Sequence, residues 1–247
     1  MKTDSTGVIV QARMGSTRLP KKMLVDINGR SVIGMLLDSL RNLPDRFKVV
    51  VAISNHKDDD VLCSHIKELG FEIFRGDEND VLSRYYNCSQ KFGFNQIIRI
   101  PGDNPFIPIS LINFFIQKWE EIDNIDYMSN ILEDSYPIGM HFEIMTFEAL
   151  EQAYKNSSEE FEREHVTPYI YNNSKFKCFN IQSEFDFSNY RFTIDYFEDI
   201  QFARILDKLI TKEVDHDINA LIKIVKENPS LKKINQKYWK SQSIKIK

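Results

Sequence analysis

Aliphatic and β-branched runs alternate along this chain with stretches whose apolar positions recur every three or four residues. Val8–Gln11 predicts a buried strand. Between Ser31 and Leu43 the apolar positions Val32, Ile33, Leu36, Leu37 and Leu40 have helical spacing, and Ser31 is suited to cap the first turn. Lys48–Ile53 predicts the next strand, and Asp58–Leu69 predicts a helix stopped by Gly70. Phe71–Phe74 is a short strand, Asp80–Phe92 a helix closing near Gly93, and Gln96–Ile100 another buried strand. That order implies a mostly parallel sheet with right-handed crossovers, whose ligands bind beyond the carboxyl ends of its strands.

The pattern continues more loosely. A helix is expected over 110–122, a strand over Tyr127–Ile131, and a loop around Tyr136-Pro137-Ile138-Gly139. His141–Ile144, Phe176–Ile181 and Tyr190–Ile194 read as strands, while Phe147–Tyr154 and Asp199–Ile210 read as helices. With no internal repeat, linker or low-complexity tract, residues 1–247 are expected to form one domain. The lysine-rich tail, about 232–247, offers Tyr238 and Trp239 for one packed turn.

Composition narrows the function. At 247 residues and 42% hydrophobic content the chain can bury a substantial core. A net charge of −4 argues against a nucleic-acid partner, which calls for a net basic face. The polar residues 1–7 lead straight into the first strand, and no apolar run approaches bilayer length, so neither a signal peptide nor a membrane partner is expected. Cys63, Cys88 and Cys178 are widely spaced thiols, consistent with a reducing, cytoplasmic setting.

The candidate chemistry begins where the first strand ends. Arg13-Met14-Gly15-Ser16-Thr17-Arg18-Leu19-Pro20-Lys21-Lys22 gathers four cations, a glycine and two hydroxyls, the composition needed to cradle a polyphosphate. Neither G-x-x-x-x-G-K-[ST] nor a strand followed by G-x-G-x-x-G occurs, which removes the main support for a Walker ATPase or a dinucleotide-dependent dehydrogenase. Asp103 follows Gln96–Ile100 and Asp195 follows Tyr190–Ile194. Two carboxylates at one sheet rim suit Mg²⁺, which takes oxygen ligands and bridges to phosphates.

The basic string resembles the R-x-G-S-x-R-L-P-x-K signature of CTP-using sugar nucleotidyltransferases, and most closely the spore-coat polysaccharide type of cytidylyltransferase. That family is related to the acylneuraminate and 3-deoxy-manno-octulosonate cytidylyltransferases. Four further blocks resemble the same family in order: Phe74–Tyr86, Arg99–Ile107, Glu164–Tyr169 and Thr193–Asp199. The resemblance implies an α/β fold, a three-layer Rossmann-like nucleotidyltransferase with a mostly parallel, mixed central sheet. It implies an acceptor and dimerisation subregion at about 127–190 and a homodimer.

The activity so implied is attack of an acidic, nonulosonate-like sugar on the α-phosphorus of CTP, giving a CMP-sugar and pyrophosphate for surface polysaccharide synthesis. Arg13, Arg18, Lys22, Asp103 and Asp195 correspond to the catalytic positions, with Asp103 and Asp195 as ligands of Mg²⁺. Gln11, Ala12, Arg13, Gly15, Ser16, Arg18, Lys22, Ser54, Arg75, Asp80 and Asp103 are the nucleotide-binding candidates. For Arg75 a surface salt bridge, and for Ser54 a plain turn, are open alternatives. Gly139, Glu143 and His165 are the acceptor-site candidates, His165 having helix capping as its alternative. Lys21 stands where the family usually has glycine, and Met140 and His141 also depart from its pattern. Two other readings stay open: a nucleotidyltransferase with another nucleotide or acceptor, and a nucleotide-binding relative without turnover.

Overall fold

The β-branched run before the basic loop forms the centre of a seven-stranded sheet, with side chains alternating between its faces. Val8 and Val10 enter one core and Ile9 the other. A computed structural model describes residues 5–210 and 217–238. In chain order the elements are β1 (Thr6–Gln11), β2 (Asp26–Ile27), β3 (Arg30–Ser31), α1 (Val32–Leu40), β4 (Phe47–Ser54), α2 (Asp60–Glu68), β5 (Glu72–Gly76), α3 (Val81–Phe92), β6 (Gln96–Pro101) and α4 (Ile109–Glu121). There follow β7 (Tyr127–Ser129), β8 (Glu143–Thr146), α5 (Phe147–Asn156), α6 (Glu160–His165), α7 (Pro168–Tyr171), β9 (Cys178–Asn180), α8 (Phe197–Leu209), α9 (Ile218–Glu227) and α10 (Pro229–Asn235).

The sheet runs β5-β4-β1-β6-β8-β7-β9. β5, β4, β1 and β6 are mutually parallel, β8 is antiparallel to β6 and β7, and β9 is parallel to β7. The expected three-layer, mostly parallel architecture is therefore present. Apolar residues of α1, α2, α4, α8 and α9 fill the core on one face, and those of α3, α5 and α7 fill the other. The predicted cap at Ser31 is made, its Oγ accepting from Gly34 N at 3.0 Å, and the Asp80 carboxylate caps α3 by accepting from Ser83 N at 2.9 Å. Among the described residues no helix is long and apolar enough to cross a membrane.

The second half departs from the periodicity. Tyr190–Ile194, expected as a strand, is not part of the sheet. It runs extended against the Tyr136–Gly139 turn, where Ile138 N donates to Tyr190 O at 3.0 Å and Phe192 N to Ile138 O at 2.7 Å. The strand expected over His141–Ile144 begins two residues later, and those at Tyr127–Ile131 and Phe176–Ile181 are shortened to three residues each. The short α6, α7 and α10, together with α9, carried no prediction. Of the proposed tail contact, Tyr238 stacks on Tyr196 with ring centroids 3.7 Å apart, while Trp239 lies outside the described residues.

Gly139 shows what the turn demands. Met140 N donates to Pro137 O at 3.0 Å, which closes a four-residue turn, and Gly139 occupies its third position at φ 96°. A Cβ there would lie 2.5 Å from Thr193 N, so the residue must combine left-handed backbone with close approach to the Tyr190–Ile194 segment. Gly139→Ala should cost about 2 kcal/mol or more of stability in urea denaturation. An unchanged midpoint would show that neither constraint operates.

Candidate active site

The basic loop is pinned at its base before it reaches the rim. Ala12 N donates to Ala52 O at 3.2 Å, and Met14 N donates to Asp59 Oδ1 at 2.6 Å. Asp59, just ahead of α2, also accepts from Ser54 N and Ser54 Oγ, at 3.2 and 2.5 Å. One buried carboxylate thus ties the end of β4 to the start of the loop. Inside the loop, Ser16 and Lys21 both donate from N–H to Met14 O, and Leu19 N donates to Ser16 Oγ at 3.3 Å. Lys21 adopts φ 62° and ψ 18°, the left-handed region in which glycine is unstrained, and its side chain is exposed.

This geometry turns the next side chain inward. Lys22 opens a short 3₁₀ turn and is only 6% exposed. Its Nζ donates to Asp103 Oδ2 at 2.5 Å and to Asp195 Oδ1 at 2.7 Å. Arg18 reaches the same Asp195 Oδ1 at 2.9 Å from a partly exposed position. Asp103 is delivered by β6, at whose end Gly102 N donates to Gln11 O at 2.7 Å. Asp195 arrives from outside the sheet: Ile194 N donates to Asp103 O at 2.9 Å and Thr193 Oγ1 to the same oxygen at 3.2 Å. Four of the five proposed catalytic residues, Arg18, Lys22, Asp103 and Asp195, therefore meet at the β1/β6 crevice.

A second layer holds this cluster. Arg191 is buried, and donates to Asp195 Oδ2 at 3.0 Å and to both oxygens of Asp199 at 2.9 Å. Asp199 also accepts from Asp195 N, Tyr196 N and Asn235 Nδ2. Burial works against the Lys22 charge, yet Asp103 and Asp195 hold its pKa above the usual 10.5. Burial likewise works against the Asp195 carboxylate, but Lys22, Arg18 and Arg191 hold it below the usual 3.8.

The remaining candidates occupy different surroundings. Arg13 lies 3.7 Å from Glu164 and lines a cleft of about 240 Å³ with Asn79, Asp80, Glu160, Arg163 and Glu164. Asp80 is paired there with Arg163. Gly15 faces Glu78, whose Oε1 would be 3.1 Å from a Cβ. Gln11 Oε1 accepts from Arg99 at 3.3 Å. Arg75 is spent on the β4–α2 connection, donating to Ser54 O at 2.9 Å, His56 O at 2.7 Å and Asp60 at 2.5 Å.

Glu143 is buried and fully engaged by Arg99, Tyr127 Oη at 2.7 Å and Thr167 Oγ1 at 2.6 Å. His165 ends α6 against the Phe161 ring, and partial desolvation there lowers its pKa from the usual 6.5. Between His165 and Thr167, the buried Val166 takes φ 74° and ψ −56° while Thr167 N donates to His165 O. This is a strained γ-turn of the kind that clusters at functional sites.

Sequence reasoning did not single out Arg191, Asp199, Asp59 or Thr167. Arg191 had one signal, a cation inside the apolar run Tyr190–Ile194.

The same arrangement bears on metal binding. Among the described residues no three His, Cys, Asp or Glu side chains gather as a metal site. Asp103 and Asp195 nonetheless converge on a single cationic atom, the Lys22 ammonium. Hard oxygen donors aimed at one point suit a divalent ion completed by water and phosphate oxygens. The arrangement offers cations for a polyphosphate beside two carboxylates, at the rim where α/β sheets bind their ligands.

Residues 7–244 match the family model for cytidylyltransferases. The chain belongs to the cytidylyltransferase family. It is 37% identical over 232 residues to an uncharacterized protein of Methanocaldococcus jannaschii, covering 92% of this chain and 93% of that protein. It is 31% identical to the spore coat polysaccharide biosynthesis protein SpsF of Bacillus subtilis, over 90% of this chain and 94% of that one. A cytidylyltransferase structure from Leptospira borgpetersenii superposes with a TM-score of 0.86 at 32% identity, covering 92% of this chain and 96% of that one.

The charged cluster fixes a pH window for a member of this family. The depressed Asp195 pKa adds stability that is present above 3.8 and is lost as the pH falls through the folded value. The raised Lys22 pKa adds stability that is present below 10.5 and is lost as the pH rises through the folded value. Between about pH 7 and pH 3, Asp195→Asn should flatten the acid-induced fall of the urea midpoint relative to wild type. Parallel curves would remove Asp195 from the linkage.

Proposed function

We propose that this cytidylyltransferase joins CTP to a small acidic sugar, forming a CMP-sugar and releasing pyrophosphate for surface polysaccharide synthesis. The observation that carries the reading is the meeting of Lys22 and Arg18 with Asp103 and Asp195 at the carboxyl end of β1 and β6. The SpsF resemblance, over nine-tenths of the chain, supports the polysaccharide context.

Cytidylyl transfer leaves little covalent work to a protein, so positioning and charge neutralisation should dominate. Lys22 and Arg18 are placed to take triphosphate oxygens, and Arg13 stands at the open end of the same loop. Asp103 and Asp195 would hold Mg²⁺, which when bound supplies positive charge at the α-phosphate. Arg191 and Asp199 keep the Asp195 carboxylate in one orientation throughout. Arg13 and Arg163 line the neighbouring cleft together with Asp80, Glu160 and Glu164, so a sugar carboxylate entering there would compete with Glu164 for Arg13 and with Asp80 for Arg163.

Pyrophosphate release measured with each of the four ribonucleoside triphosphates, against an acidic nonulosonate and a neutral hexose, should be largest for CTP with the acidic sugar. Faster release with another triphosphate, or with the neutral sugar, would overturn the substrate assignment. Lys22→Ala should weaken CTP binding by about 1–3 kcal/mol in calorimetry, the value of a charge-assisted contact. Asp103→Asn should keep CTP affinity within a few-fold and lower turnover by roughly two orders of magnitude. Equal effects of Asp103→Asn on both would place Asp103 outside the reacting centre.

A further inference from the structure

Glu143, an acceptor-site candidate from the sequence, is 3% exposed and lies in the interior of the sheet, where β8 sets it opposite Arg99 on β6 and Ser129 on β7. Its carboxylate accepts from Arg99, from Tyr127 Oη at 2.7 Å and from Thr167 Oγ1 at 2.6 Å. Arg99 alone would balance its charge. The donation from Thr167 is additional, and it ties the segment that follows α6 to the sheet.

Glu160, Arg163 and Glu164 of α6 form one wall of the cleft that Arg13 lines. This six-residue helix buries none of its own residues, so no apolar face of its own holds it in place. Its carboxyl end is where the backbone is fixed. Val166 N donates to Glu162 O at 3.0 Å and Thr167 N to His165 O at 2.9 Å, and the Val166 side chain, 0% exposed, enters the core on the α3 and α5 face. A β-branched residue at φ 74° and ψ −56° is strained, and such a turn persists only where its surroundings over-determine it. Here the core grips the Val166 side chain, and the buried Thr167 hydroxyl is tied to a carboxylate fixed within the sheet.

We propose that Glu143 and Thr167 are positioning residues for the acceptor sugar, holding Val166 in its strained turn and thereby setting the α6 wall against Arg13. The inference rests on the acidic-sugar reading proposed above. A sugar carboxylate in the cleft competes with Glu164 for Arg13 and with Asp80 for Arg163, so a shift of α6 alters both competitions at once. Glu143 and Thr167 are themselves enclosed behind the turn, and act on the sugar only through the placement of the wall. The cluster of Lys22, Asp103 and Asp195 is held by separate contacts, so nucleotide binding should survive when the turn is released.

Steady-state kinetics and calorimetry on the full chain test this, with whichever of 3-deoxy-manno-octulosonate and N-acetylneuraminate gives wild type the faster pyrophosphate release. Thr167→Val keeps the side-chain shape and removes the hydroxyl, whereas Thr167→Ser keeps the hydroxyl. Glu143 retains Arg99 and Tyr127 as partners in both, so both should fold. Should Thr167→Val not fold, Thr167→Ala against Thr167→Ser makes the same comparison, one oxygen apart. Thr167→Val should raise the KM for the sugar by about tenfold or more, because a small misplacement of binding groups costs that much. Its CTP affinity should stay within about threefold of wild type, and Thr167→Ser should return the sugar KM to within about threefold. A lowered melting temperature in Thr167→Val with the sugar KM unchanged would overturn the inference in favour of a merely structural contact. A sugar KM raised alike in Thr167→Val and Thr167→Ser would overturn it in favour of packing. An equal loss of CTP affinity would overturn it in favour of an effect carried to the nucleotide through Arg99 and Gln11. A wild type that releases pyrophosphate with neither sugar would instead remove the acidic-sugar reading, and this inference with it.

Discussion

The Lys22 ammonium between the carboxylates of Asp103 and Asp195 is the contact on which the rest of the site depends. Two negative charges delivered by separate segments cannot share a buried corner unless a cation lies between them, because desolvation and mutual repulsion would both oppose it. Lys22, Arg18 and Arg191 face Asp103, Asp195 and Asp199, so the cluster is balanced in formal charge without any ligand. On the function proposed above, a triphosphate at this corner would compete for Lys22 and Arg18, and the carboxylates so uncovered would hold the divalent cation.

The loop geometry explains how a local sequence produces that long-range contact. Asp59 anchors Met14, Met14 O collects two N–H groups, and the left-handed turn at Lys21 points Lys22 into the crevice. The side chain at Lys21 is incidental to this route, while its backbone conformation is not. This accounts for glycine at the same position in the family pattern: the turn is required, and lysine here meets the requirement at a modest conformational cost.

Much of this was legible in the chain. Buried parallel strands are near-continuous apolar runs, so Val8–Gln11, Lys48–Ile53 and Gln96–Ile100 announced themselves, and their spacing by helical patterns implied a mostly parallel sheet. The sequence also singled out the basic string and the two aspartates, and the structure brings Arg18, Lys22, Asp103 and Asp195 together. Tyr190–Ile194 misled because an extended apolar segment buried against a turn has the same periodicity as a strand, and only tertiary pairing separates the two. Glu143 and Arg75 show the limit for side chains. Sequence placed both near a site, but the number of donors converging on Glu143, and the carbonyls that occupy Arg75, depend on segments far apart in the chain.

The most direct test of the central claim is a crystal structure of the protein with CTP and Mg²⁺. The triphosphate should lie along Met14–Lys22 with its α-phosphorus beside Asp103 and Asp195, and the Lys22 ammonium should have turned from those carboxylates toward phosphate oxygens. A triphosphate bound elsewhere, or one that leaves the Lys22 bridge to Asp103 and Asp195 intact with no phosphate within about 6 Å, would contradict the account.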